Sequence, residues 1–120
     1  MIMTAANHAI QALLWSCNFD DYEPSEELVE CITEEWEDFR KKAEELGFDA
    51  YEHRAMMVDP AEGDEWDYAA HDFILSRNGH GTGFSDGRWH EPWGEKLTAL
   101  CKEYDPVDVW VDYNNVAQLY

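Results

Sequence analysis

The sequence predicts an α+β domain: about four helices packed on a small two- or three-stranded antiparallel sheet at the C-terminal end. Three observations predict it. Leu28, Ile32, Trp36, Phe39, Ala43 and Leu46 are spaced three or four residues apart, one stripe of a 3.6-residue helix. Val107, Val109, Val111 and Tyr113 alternate with Asp108, Trp110 and Asp112, the period of a strand with one apolar face. Proline and glycine punctuate the chain between such patterns, at Pro24, Gly47, Gly79 and Pro106. At 120 residues the chain reads as a single domain, with an acidic helical part over residues 1–67 and a motif-bearing α+β part over 68–120.

The first helix is expected over residues 4–17, capped by Thr4, with Ile10, Leu13, Leu14 and Cys17 inward. The second is capped by Ser25, carries Glu26 and Glu27 in its first turn, where the helix dipole favours acids, and stops at Gly47. Residues 48–65 read as a short helix or strand followed by a loop broken by Pro60 and Gly63. A third helix covers 65–77, with Tyr68, Ala69, Ala70, Phe73 and Ile74 toward the core and Asn78-Gly79 as its stop. The fourth lies in "GEKLTALCKEY" with Leu97, Leu100, Cys101 and Tyr104 inward. The strand at 107–113 turns at Asn114-Asn115 and returns as 116–120. A two-stranded hairpin is marginal alone, so "GTGFSD" is assigned as the third strand.

Charge is the strongest global signal. The chain has 27 acids against 8 Lys plus Arg, a net of −19. From Asp20 through Asp67 there are 19 acids and 4 bases, a local net of −15. Direct binding to nucleic acid or to anionic membranes is excluded on this reading, because it rests on Lys and Arg neutralising phosphates. A basic protein that itself handles nucleic acid is the complementary partner. No run approaches the roughly 18 apolar residues of a membrane span, and the N-terminal stretch lacks a basic region ahead of its apolar run. A cytoplasmic location is therefore expected, and Cys17, Cys31 and Cys101 are expected as free, buried thiols.

The segment "AHDFILSRNGHGTGFSD", followed by "GEKLTAL" and the terminal "VDVWVDYNNVAQLY", resembles a family of small phage and prophage proteins. That family carries an H-D-F-x-L-[ST]-R-N-G-H-G-x-G-F-x-D segment, a G-x-K-L helix and a hairpin ending in Tyr. The resemblance covers residues 68–120. It implies a phage-type origin and a host cytoplasm, and it carries no mechanism. Ile74 stands where the family usually has Trp, and "GRWHEPWGEK" is a longer link than usual.

The sequence offers four candidate chemistries. Gly79, Gly81 and Gly83 could cradle a phosphate, but the G-x-G-x-G spacing is neither a dinucleotide fingerprint nor a P-loop, and no lysine follows. The glycines are instead assigned to positive φ and close backbone approach. His71, His80 and His90 could converge with Asp72, Asp86 or Cys101 on a metal, as in a small metal-dependent enzyme, but at no recognised zinc spacing. Ser76, Ser85 and Cys101 lie in no known nucleophile context. The expectation is therefore no catalytic residue, no cofactor and no metal.

The residues His71, Asp72, Arg77, Asn78, Gly79, His80, Gly81, Gly83 and Asp86 are expected to form a structural junction. In it Arg77 pairs with Asp72, or reaches Asp86 or a carbonyl of the returning chain, while His71 and His80 donate to carbonyls around the turn. The fourth feature is the acidic helix face, Glu26, Glu27, Glu30, Glu34, Glu35, Glu37, Asp38 and Glu45, assigned to partner binding. Its functional reading is mimicry of a nucleic-acid backbone, the anti-restriction, anti-CRISPR or repair-inhibitor class. The alternative is a structural or regulatory phage accessory protein whose acidity serves only solubility. Exposed Trp89, Trp93 or Trp110 would offer a homodimer surface.

Overall fold

The computed structural model describes residues 4–55, 64–79 and 83–120. Among the described residues five helices and a three-stranded sheet follow in the order α1 (Ala5–Ser16), β1 (Glu23–Pro24), α2 (Glu26–Glu45), α3 (Ala50–His53), α4 (Glu65–Arg77), α5 (Trp93–Cys101), β2 (Val109–Val111) and β3 (Val116–Leu119). A 3-10 turn, Phe84–Asp86, precedes α5. The α+β reading holds. Among the described residues no helix is long and apolar enough to cross a membrane.

The helix α2 forms where its stripe places it, with Leu28, Ile32, Trp36, Phe39 and Ala43 buried. Its end differs from expectation in one residue. Leu46 is 55% exposed, because Gly47 turns the chain at φ 101°. The amide of Phe48 then donates to the Ala43 carbonyl at 3.0 Å and that of Gly47 to Glu44 at 3.0 Å. This pair of bonds is the Schellman stop, and it buries Phe48 instead of Leu46.

At the other end Ser25 has two tasks. Its hydroxyl accepts from the Leu28 amide at 3.1 Å, and its own amide donates to the Ala117 carbonyl of β3 at 2.8 Å. The cap thus ties α2 to the sheet. Ser25→Ala is expected to lower stability by about 1 kcal/mol, the usual cost of a lost serine cap, read as a shift in urea midpoint with an unchanged slope.

The helix α4 is the centre of the molecule, packed against α1, α3 and α5. It buries residues on nearly every side, including Trp66, Ala70, Phe73, Ile74 and Leu75. Phe73 meets Phe39 of α2 at a centroid distance of 4.6 Å, and Trp36 meets Phe73 at 5.9 Å. Phe48 sits among Trp66, Trp89 and Trp93 at 5.4–5.5 Å. Trp89 is 2% and Trp93 9% exposed, so both belong to this aromatic core. Of the three tryptophans proposed for a dimer surface only Trp110 reaches solvent, at 41%. Cys101 is buried, whereas Cys17 and Cys31 are only half-buried; all three are free.

The sheet corrects two expectations. Its order is β1-β3-β2 and it is mixed: β3 pairs antiparallel with β2 (Val111↔Ala117) and parallel with β1 (Glu23↔Val116). The third strand therefore comes from Glu23–Pro24 and not from "GTGFSD". Of that segment, residues 81 and 82 lie outside the described residues. Gly83 at φ 115°, the 3-10 turn and Gly87 at φ 80° rule out an extended run through the rest. The hairpin turn itself is as expected. Asn115 takes φ 63°, and Asp112 accepts from the amides of Asn114 and Val116 at 2.8 and 3.1 Å.

Candidate functional site

Two sets of residues stand out in the sequence, and the structure treats them differently. The junction set is built around Asp72, which is wholly buried on α4. Burying a carboxylate is costly unless every lone pair direction finds a donor. Arg88 Nη2 donates to Oδ1 at 2.7 Å and Trp89 Nε1 to Oδ2 at 2.7 Å. Arg54 stacks above this pair, its guanidinium 4.3 Å from the Tyr68 ring centre and 5.0 Å from that of Trp89. The Ala55 amide bonds the Arg88 carbonyl at 2.9 Å, and the His90 amide bonds that of His53 at 2.8 Å.

Of the alternatives for Arg77, the pair with Asp72 does not form, and the reach to a backbone carbonyl of the returning chain does. Asp72 and Arg77 lie five residues apart on α4 and leave it in different directions. Arg77, 6% exposed, sends Nη1 to Glu35 of α2 at 2.5 Å. Its Nε and Nη2 both donate to the Asp105 carbonyl, at 3.0 and 2.6 Å. It therefore fastens the end of α4 to the middle of α2 and to the chain leaving α5. Asn78 adds a second tie, its Oδ1 accepting from the Val107 amide at 2.7 Å.

The glycines are structural at the two described positions. Gly79 has φ 69° just past α4. At Gly83 a Cβ would lie 2.3 Å from Ser76 Oγ and 2.9 Å from the Asp72 carbonyl oxygen, so only glycine lets the chain cross α4 there. The Phe84 amide then donates to Ser76 Oγ at 3.0 Å. Among the described residues no carbonyl accepts from His71. Its Nδ1 lies 3.6 Å from Asp72 Oδ1, and its ring centre is 6.2 Å from that of Trp15. His80, Gly81 and the Asp86 side chain lie outside the described residues.

The described nucleophile candidates Cys101 and Ser76 are both constrained. Burial pushes the Cys101 thiol far above its ordinary range, which removes the thiolate a nucleophile needs. Ser76 is engaged by the Phe84 amide. Among the described residues no three of His, Cys, Asp and Glu are grouped to hold a metal.

The acidic set is on α2 and is mostly free of partners. Glu26, Glu27, Glu30, Glu34, Glu37 and Glu45 are exposed, and none forms an ion pair among the described residues. Glu35 departs from this group. It is turned toward the core as the counter-charge of Arg77 and serves the fold. Asp38 accepts from the Tyr104 hydroxyl at 2.6 Å and pairs with Lys42 at 3.2 Å. The tyrosine bond first, and Lys42 second, hold its carboxyl below the usual aspartate range.

The cations explain why the outer face stays negative. Arg77 is buried, and Arg54 and Arg88 are half-buried around Asp72 and the aromatic rings. Arg40 and Lys42 pair one turn along α2, with Glu44 and Asp38. Between residues 20 and 38 there are ten acids and no Lys, Arg or His. The first ten residues of α2 and the loop before it therefore present carboxylates only, apart from the Glu35–Arg77 pair. Comparison with protein-family models, with curated proteins and with solved structures finds no match.

Proposed function

We propose that this chain is a phage-type acidic protein that binds and inhibits a basic, nucleic-acid-handling protein of its host, in the host cytoplasm. In this reading α2 takes the place of a nucleic-acid backbone. The observation that carries it is the row Glu27, Glu30, Glu34 and Glu37, exposed and in no ion pair among the described residues. Carboxylates one helical turn apart repeat at about 5.4 Å, against a phosphate every 3.4 Å or so along one duplex strand. Glu26 beside the row, with Asp20, Asp21 and Glu23 ahead of it, raises the local density toward that of the strand.

The competing reading places function in the 71–90 junction. Among the described residues Asp72 is engaged by Arg88 and Trp89, and Arg77 by Glu35 and the Asp105 carbonyl, while Arg54 Nε and Nη1 are buried over this cluster without a hydrogen-bond partner. The ties of Asp72 and Arg77 favour a structural role there, and the acidic face is the larger surface of exposed charge without ion pairs among the described residues.

The test is capture from host lysate at low salt followed by competition. A protein held through mimicry is expected to be released by a short duplex of arbitrary sequence and to lose its own nucleic-acid binding when this chain is added. A captured protein that holds this chain and duplex DNA together would refute the reading.

A further inference from the structure

Three depressions run into one another along the outer side of α1. The first, about 490 Å³, lies over Ile10 and Leu14 and is walled by Tyr22, Pro24 and Val29. The second, about 440 Å³, shares Gln11, Leu14 and Asp20 with it and adds Trp15 and His71. The third, about 370 Å³, continues from Gln11 and His71 to Tyr68 and Arg88. Together they form one furrow, whose floor, Ile10 and Leu14, is packed at 5% exposure each.

Two features suit this furrow to a protein partner. Trp15 stands at its edge 60% exposed, and Tyr22 is 36% exposed. Large aromatic side chains left in solvent beside an apolar floor are the usual anchors of binding surfaces. The charge is also polarised. Asp20, Asp21 and Glu23 are exposed along one end and carry no cationic partner among the described residues. At the other end Arg88 is committed to the buried Asp72, and His8 lies 3.6 Å from Asp67.

We infer that the furrow along α1 docks an amphipathic, Lys- and Arg-bearing segment of a protein partner, its apolar side chain over Leu14 and Trp15 and its cations over Asp20, Asp21 and Glu23. The commitment to a basic segment follows from charge complementarity at the Asp20–Glu23 end, where the furrow meets the start of α2. Trp15 supplies a ring face for one of those cations. The inference deepens the mimicry reading, on which it rests for the basic character of the partner. It adds that recognition has an apolar anchor, so that affinity survives in part at salt concentrations that screen surface charge.

Two fluorescein-labelled peptides of equal charge separate the possibilities. One carries Lys and Leu at helical spacing, and the other has every Leu replaced by Ser. By fluorescence anisotropy the parent protein is expected to prefer the Leu peptide by about tenfold or more, the size expected for burying one leucine side chain. Trp15→Ala, at an exposed position, is expected to melt like the parent and to reduce that preference toward unity. Asp20→Asn with Asp21→Asn and Glu23→Gln is expected to weaken both peptides. A parent that binds the two peptides alike, or a preference that persists in Trp15→Ala, overturns the inference. So does concentration-dependent dimerisation that Trp15→Ala abolishes, which would assign the face to a second copy. Failure of the furrow alone leaves both peptides weakened by Glu27→Gln, Glu30→Gln and Glu34→Gln. Failure of the mimicry reading leaves both unaffected by those three changes.

Discussion

An Asp72→Ala protein is expected to lose about 3–5 kcal/mol of stability, the usual cost of breaking a buried ion pair by removing one partner. Asp72 is 0% exposed and accepts from two donors on the segment before α5. Removing it leaves the Trp89 indole N–H buried without an acceptor, and leaves Arg88 without its counter-charge. A domain of this size has about 5–15 kcal/mol in total, so the alanine variant would stand near the unfolding threshold. Asp72→Asn keeps the shape and one carbonyl acceptor and is expected to lose less, in the range of about 1–3 kcal/mol for one unsatisfied buried group.

Urea unfolding of both, with Trp89→Phe to complete a cycle, measures the coupling. A midpoint for Asp72→Ala within about 1 kcal/mol of the parent would show that the buried carboxylate is not what holds the segment. The same asparagine variant also bears on function. Under the mimicry reading it binds its partner like the parent as long as it is folded. Lost binding with an intact fold would favour the accessory-protein reading, in which the junction carries the activity.

How much of this was legible in the sequence depends on what sets each feature. The helix α2 was legible because its period, its Ser25 cap and its Gly47 stop are local properties that agree with one another. Leu46 was assigned inward because period alone cannot tell which residue the Schellman turn will bury, and Phe48 took that place. The strand β1 was not legible. Two residues, one of them proline, carry no periodicity, and their parallel pairing with β3 spans most of the chain. "GTGFSD" resembled a strand by composition, but Gly83 at positive φ and the 3-10 turn after it make its described part a turn.

The site shows the same division. That the acidic residues share a helix face was readable from spacing. That Glu35 leaves this face for Arg77 was not, since its partner lies 42 residues away. The partners of Asp72 were also missed. Arg88 and Trp89 lie in a stretch without period, and the available signal was only that an aspartate among buried α4 residues requires donors from somewhere. The furrow had no sequence signal beyond Trp15, which the helical stripe of α1 leaves on the outside.

The Glu35 result changes how the acidic face should be tested. Neutralising Glu35 would confuse lost binding with lost structure, so the informative changes are Glu27→Gln, Glu30→Gln and Glu34→Gln together. All three are exposed and without an ion pair among the described residues. Their removal reduces repulsion between neighbours one turn apart, and the fold is expected to be preserved. An exposed charge pair contributes about 0.2–1 kcal/mol, so three lost pairs weaken partner binding by about 0.6–3 kcal/mol, roughly 3- to 150-fold. The salt dependence carries more information than the affinity. Charges more than about 8–10 Å apart are screened near physiological ionic strength, so parent affinity should fall steeply between low and moderate salt, and the triple variant should fall less steeply. Titrations of the captured partner at several salt concentrations, with melting curves as control, give both slopes. Equal slopes for parent and variant, with the fold intact, would mean that the carboxylates of α2 keep the chain in solution and do not recognise the partner.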